Sequence, residues 1–187
     1  MRKALYILGS LGDADIEWVA RHGKRLPLKT GDVLIQEGGS IDYLFILLEG
    51  QLSVRIGQGA SKEIAVLLPG EIVGEISFVD NRKPTASVIA LQDSRVFGIE
   101  RHALLAKFDR DFGFAARFYR AIAVFLADRL YLTTSRFGYG KRDQDVDVDV
   151  IEDSAMDEIS MASIRFDKLL RFLADEHNAG SFASVKE

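Results

Sequence analysis

The sequence predicts a mainly β fold with flanking helices, built around an antiparallel barrel or jelly roll. Three observations predict it. Between residues 25 and 99 the chain breaks into short apolar or alternating runs. Turn signals separate these runs at spacings of roughly 8–12 residues, with no helical periodicity between them. Before and after this stretch the apolar spacing changes to three and four, the period of a helix with one buried face.

The elements follow in order. Leu5, Leu8 and Leu11 form one short apolar face, and Asp13 is placed to cap a second turn carrying Ile16, Val19 and Ala20. His22-Gly23 closes that helix. The strand region is punctuated by Thr30-Gly31-Asp32, Gly38-Gly39-Ser40, Glu49-Gly50, Gly57-Gln58-Gly59, Pro69-Gly70 and Asp80-Asn81. Its clearest strand alternates Leu52, Val54 and Ile56 with Gln51, Ser53 and Arg55, and Ile64, Val66 and Leu68 repeat the pattern. Helical texture returns at Glu100, with a short helix through Lys107 and a long one from about Asp111 to Phe137.

That long helix carries two stripes. Phe114, Phe118, Ile122, Phe125 and Leu132 make one; Tyr119, Leu126 and Leu130 make the other. Together they are wider than one flank of a barrel covers, so a homodimer joined through residues 112–137 is expected. Gly138-Tyr139-Gly140 then opens a linker over residues 138–153. Its alternating Asp143, Asp145, Asp147 and Asp149 resemble a calcium loop only in part. A loop starting at Asp143 puts Val148 where the turn glycine belongs and Ser154 where the bidentate glutamate belongs. An acidic linker is the better reading. Over residues 154–187, Ile159, Ala162, Phe166, Leu169, Leu170 and Leu173 share one face of an extra helix expected to dock on folded protein.

Composition narrows the function. The 187 residues are 48% hydrophobic and 28% charged, ordinary for a globular chain, and contain no cysteine. Disulfides, thiolate zinc, iron–sulfur clusters and a cysteine nucleophile are therefore excluded. His22, His102 and His177 are scattered and form no ligand set, so no metal is expected. The longest nearly apolar run, residues 121–127, is far too short to span a membrane. Arg2 and Lys3 precede only a short apolar stretch with no cleavage site, which points to a cytoplasmic protein without membrane attachment. Of 24 basic and 28 acidic residues, residues 138–187 hold six and twelve, a net of −6. That sign opposes nucleic-acid binding.

One stretch carries chemistry: Pro69-Gly70-Glu71-Ile72-Val73-Gly74-Glu75-Ile76-Ser77-Phe78-Val79-Asp80-Asn81-Arg82-Lys83-Pro84-Thr85-Ala86-Ser87-Val88. It reads as turn, strand, Gly-Glu, short apolar turn, polar loop and strand. Gly74 permits close backbone approach, and the amides of Glu75 and Ile76 can face an anion. The Glu75 carboxylate suits a ribose hydroxyl. Here the chain resembles the cyclic nucleotide-binding domain family, which includes catabolite activator protein, kinase regulatory subunits and cyclic nucleotide-gated channels. The resemblance covers roughly residues 5–137. It includes Leu28-Lys29-Thr30-Gly31-Asp32, the run Tyr43-Leu44-Phe45-Ile46-Leu47-Leu48-Glu49-Gly50, the cassette above and the long helix. It implies a β-roll flanked by helices, a phosphate pocket at the cassette and dimerisation along the long helix.

The sequence departs from the family at one decisive position. Members that bind cyclic nucleotide carry an arginine just before the small residues that open the strand after the cassette. Here that position is Pro84, which has neither charge nor N–H. A charge-assisted phosphate contact contributes roughly 1.5–3 kcal/mol, so its loss weakens binding about 10- to 150-fold. Cyclic AMP and cyclic GMP are expected to bind weakly or not at all, and another anion stays open. The candidate phosphate and ribose pocket is Gly74, Glu75, Ile76, Arg82, Thr85 and Ala86, with no catalytic residue, metal or resident cofactor. The expected function is a non-enzymatic regulatory or interaction module with a degenerate or altered pocket and a protein partner of unknown identity. The alternative is a cyclic nucleotide sensor signalling through its C-terminal helix. No helix-turn-helix is expected after the long helix, since about fifty residues with a net charge of −6 and one clear helix do not make one.

Overall fold

The computed structural model describes residues 10–136. The chain divides into two compact units, Arg21–Ala115 with Met1–Ala4, and Leu5–Ala20 with Ala116–Glu187. The Leu5 and Leu8 turn, the 138–153 linker, the calcium-like spacing, His177 and the 154–187 helix all lie outside the described residues.

The first unit holds eight strands in two antiparallel sheets. One is ordered β1-β8-β3-β6 and the other β2-β7-β4-β5. Their ranges are β1 Gly23–Leu28, β2 Val33–Ile35, β3 Tyr43–Glu49, β4 Leu52–Ile56, β5 Lys62–Leu67, β6 Ile72–Val73, β7 Ser87–Ala90 and β8 Ser94–Glu100. The sheets pack face to face: Phe45, Leu47 and Val96 from the first meet Ile35, Leu52 and Val88 from the second in one buried cluster. Each such side chain contributes roughly 1.5–3 kcal/mol on leaving water. This is the β-roll that the sequence resemblance implied.

The β4–β5 pair shows both what alternation predicts and what it leaves open. Leu52 is buried and Val54 packs against the core, as their period of two requires. Ile64, Val66 and Leu68 do mark a strand, yet all three are exposed. Leu67 pairs with Leu52 and faces inward, so Val66, opposite Ser53, faces outward. Shifting a strand by one residue exchanges its faces, and only the pairing register fixes which is buried. Ser53 is fully buried through polar contacts: its Oγ donates to Glu63 (2.6 Å) and accepts from the Arg55 Nε (2.9 Å).

The second unit contains most of α1 (Asp13–His22). Asp15, in its first turn, accepts the Gly12 N–H at 2.7 Å, so a carboxylate reaching back from inside the helix closes its start. The same carboxylate binds Arg117 in bidentate fashion, at 2.7 Å to Nε and 2.9 Å to Nη2. Arg117 belongs to the long helix, which runs Phe112–Arg136, within one residue of the predicted span. Phe118, Ile122 and Phe125 are buried within a single copy of the chain. Tyr119 and Leu130 are exposed and Leu126 is half-buried. One of the two expected stripes is thus occupied inside the chain, and the other remains on the surface. The side chain of Leu132 lies outside the description. Among the described residues no helix is long and apolar enough to cross a membrane.

Candidate functional site

The cassette joins the two sheets, leaving the first at β6 and entering the second at β7. Its leading half is a single helical turn and a half, α2 (Glu75–Asp80). Gly74 starts it with φ +91°, in the left-handed region where a side chain is strained. A Cβ at this position would also lie 2.7 Å from Ile41 Cδ1 and 2.9 Å from the Tyr43 carbonyl oxygen. The glycine is therefore required by packing against β3 before any ligand is considered. Glu75 is only 2% exposed, and Ser77 and Phe78 are buried beside it. Ile76 presents its side chain to solvent.

Phe78 anchors α2 to the next helix, α3 (Arg101–Arg110). Its ring meets Phe108 edge-on with centroids 6.1 Å apart, and Phe108 in turn lies 5.6 Å from Phe114. The Arg101 guanidinium sits 6.0 Å from the Phe78 ring centroid. Asp111 separates α3 from the long helix, α4. Its carboxylate accepts the Phe114 N–H at 2.8 Å as an N-cap and holds Lys107 at 2.8 Å. Edge-on aromatic pairs of this kind contribute about 0.5–1.5 kcal/mol beyond burial.

The trailing half is different. Asn81 ends α2 with φ +60°, one of the few non-glycine residues that tolerates this conformation, and its N–H donates to the Ser77 carbonyl. Arg82 is 81% exposed and folds back on Asp80: its backbone N–H donates to Oδ1 at 3.0 Å and its Nε to Oδ2. The Arg82 backbone N–H is the main reason that the Asp80 carboxyl lies below the usual carboxylate range. Lys83 and Thr85 are exposed, and Ala86 is half-buried. The Pro84 carbonyl accepts the Gly38 N–H at 2.8 Å, which fixes the backbone where the family arginine would stand.

Of the six residues singled out in the sequence, Gly74, Glu75 and Ile76 open α2, Thr85 and Ala86 lead into β7, and Arg82 stands on the loop between them. Sequence reasoning missed Asp80 as the partner of Arg82, although a carboxylate two residues before an arginine is a local signal. It also missed Ser87, 1% exposed, whose Oγ accepts the Glu37 N–H (3.0 Å) and the Gln36 Nε2 (3.3 Å). No local signal could reveal that contact, which spans about fifty residues.

Two antiparallel sheets bridged by a Gly-Glu cassette and followed by a long helix define a β-roll domain. The family model for the cyclic nucleotide-binding domain matches residues 25–111. A cGMP-dependent protein kinase of Eimeria tenella is 32% identical over 96 residues, which are 51% of this chain and 9% of the kinase. A cyclic nucleotide-binding domain from Methylobacillus flagellatus KT superposes with a TM-score of 0.66 at 18% identity, covering 77% of this chain and 85% of that one. The catabolite activator protein of Thermus thermophilus gives 0.58 at 20% identity, over 92% of this chain and 88% of that one. At such identities the two solved structures establish the fold alone.

Proposed function

We propose that the chain is a non-enzymatic regulatory module whose cyclic nucleotide-binding fold does not hold cyclic AMP or cyclic GMP tightly. One observation carries this reading: Pro84 occupies the position of the phosphate-binding arginine, while the nearest arginine, Arg82, is turned to Asp80 in solvent. A lysine at 83 is no substitute for a planar bidentate fork. The competing reading, a live sensor, is favoured by the match to a kinase described as cGMP-dependent.

Thermal unfolding with millimolar cyclic AMP or cyclic GMP separates the two. A ligand at about 100 times its Kd stabilises the native state by roughly 2.7 kcal/mol. For a chain this size that raises the midpoint by about 5–10 °C, whereas a shift below about 2 °C is expected here. Pro84→Arg keeps the carbonyl that binds Gly38 and restores the fork, so it should enlarge any response. A large shift of the wild type, abolished by Arg82→Ala, would instead place the phosphate on Arg82 and establish a working sensor.

The module also acts as a homodimer in this proposal, through the stripe of α4 that one copy leaves open. Phe112, Tyr119, Leu130 and Tyr131 are exposed there, and apolar surface of this kind is characteristic of association sites. Light scattering should give a dimer for the wild type and a monomer for Leu130→Glu. Phe118 is unsuitable for this purpose because it is buried within each copy. A wild type monomeric at micromolar concentration would refute the dimer. An unidentified protein partner, a cytoplasmic location, and the absence of nucleic-acid or membrane binding belong to the same proposal.

A further inference from the structure

The loop between β2 and β3 touches two parts of the domain that are distant in sequence. The β4–β5 hairpin turns through Gly57, Gly59 and Ala60, all with positive φ. Ala60, at φ +54°, adopts a conformation that L-residues disfavour. Within the tip the Ala60 N–H donates to the Gly57 carbonyl at 2.8 Å. The Gly57 N–H donates outward, to the Glu37 carboxylate at 3.0 Å. Glu37 in turn donates its own N–H to the buried Ser87 Oγ, and its neighbour Gly38 donates to the Pro84 carbonyl. Pro84 and Ser87 flank Thr85 and Ala86, the trailing residues of the cassette.

We propose that Glu37 is a positioning residue that ties the strained hairpin tip to the end of the cassette, so that displacing either one is felt at the other. The link is a continuous chain of hydrogen bonds from Gly57 through the Glu37 side chain and backbone to Ser87, braced by Gly38 on Pro84. Every bond in it is made between residues of the chain. The two segments also meet through the β4–β7 ladder, where Arg55 pairs with Ser87, and residues 36–38 add a second tie that depends on the Glu37 side chain.

Hydrogen exchange on the full chain tests it. Glu37→Ala removes one exposed hydrogen bond, which corresponds to roughly a 2- to 10-fold rise in local opening. Exchange should accelerate in residues 57–61 and also in residues 84–88, with β3 unchanged as an internal reference. Glu37→Gln keeps an oxygen acceptor and should restore protection at both. Acceleration confined to residues 57–61 would reduce Glu37 to a local anchor and overturn the proposal. Equal acceleration across β3 would do the same, by revealing general destabilisation, and so would no change anywhere.

Discussion

The leading and trailing halves of the cassette lie only a few residues apart, yet they answer to different forces. From Gly74 to Phe78 the chain is pressed between β3 and α3: Glu75, Ser77 and Phe78 are buried, and a methyl group on Gly74 has nowhere to go. From Asn81 to Thr85 it is a solvated loop whose principal side-chain contact, Arg82 back to Asp80, is exposed and local. The departure, Pro84, falls where packing dictates little beyond one backbone carbonyl. Gly74 is therefore accounted for by the fold itself, whereas packing leaves the side chains of Arg82, Lys83 and Thr85 in solvent.

This contrast can be broken most forcefully at Phe78. Its replacement by alanine should cost about 3–5 kcal/mol through lost burial and the cavity left against Phe108. Denaturant unfolding measures it, and a loss below about 1 kcal/mol would mean that the leading half is not packed as described. Gly74→Ala comes next. The left-handed backbone costs about 1–2 kcal/mol for an L-residue, and relieving the Ile41 and Tyr43 contacts raises the total to roughly 2–4 kcal/mol. A neutral effect would show that β3 yields, and would return the glycine to a purely ligand-binding role.

In the trailing half the effects should be small. Arg82→Ala should move the thermal midpoint by less than about 2 °C, as is usual for an exposed ion pair. A larger loss would contradict the solvated loop. The Asp80 carboxyl gives the finest test. Because its native value is lowered by the Arg82 N–H, its contribution is present above the ordinary aspartate range. It disappears as pH falls through the still lower native value. A carbon-detected titration should find Asp80 below a free aspartate, and Arg82→Ala should raise it only in part because the backbone donor remains. An Asp80 titrating at or above the ordinary value would remove the contact from the solution structure.

The N-terminal helix, the β4 strand and the long helix were all legible from apolar spacing, which is a local property of the chain. The Gly74 turn was legible too, since a glycine before Glu75 is visible in the sequence and carries a positive φ in the structure. Three features were not. The outward direction of Ile64, Val66 and Leu68 depends on pairing Leu67 with Leu52, and register is a property of two strands together. The fate of the two stripes on α4 depends on what covers Phe118 and Phe125, which the helix's own spacing does not specify. The bonds from Glu37 to Gly57 and Ser87 join residues 20 and 50 apart. The sequence alone determined which segments are strand or helix, because backbone preference and apolar spacing belong to individual residues and their neighbours. Only the tertiary structure decided which faces are buried and which loops are tied together, because burial and hydrogen bonding between distant segments exist only after the chain has closed on itself.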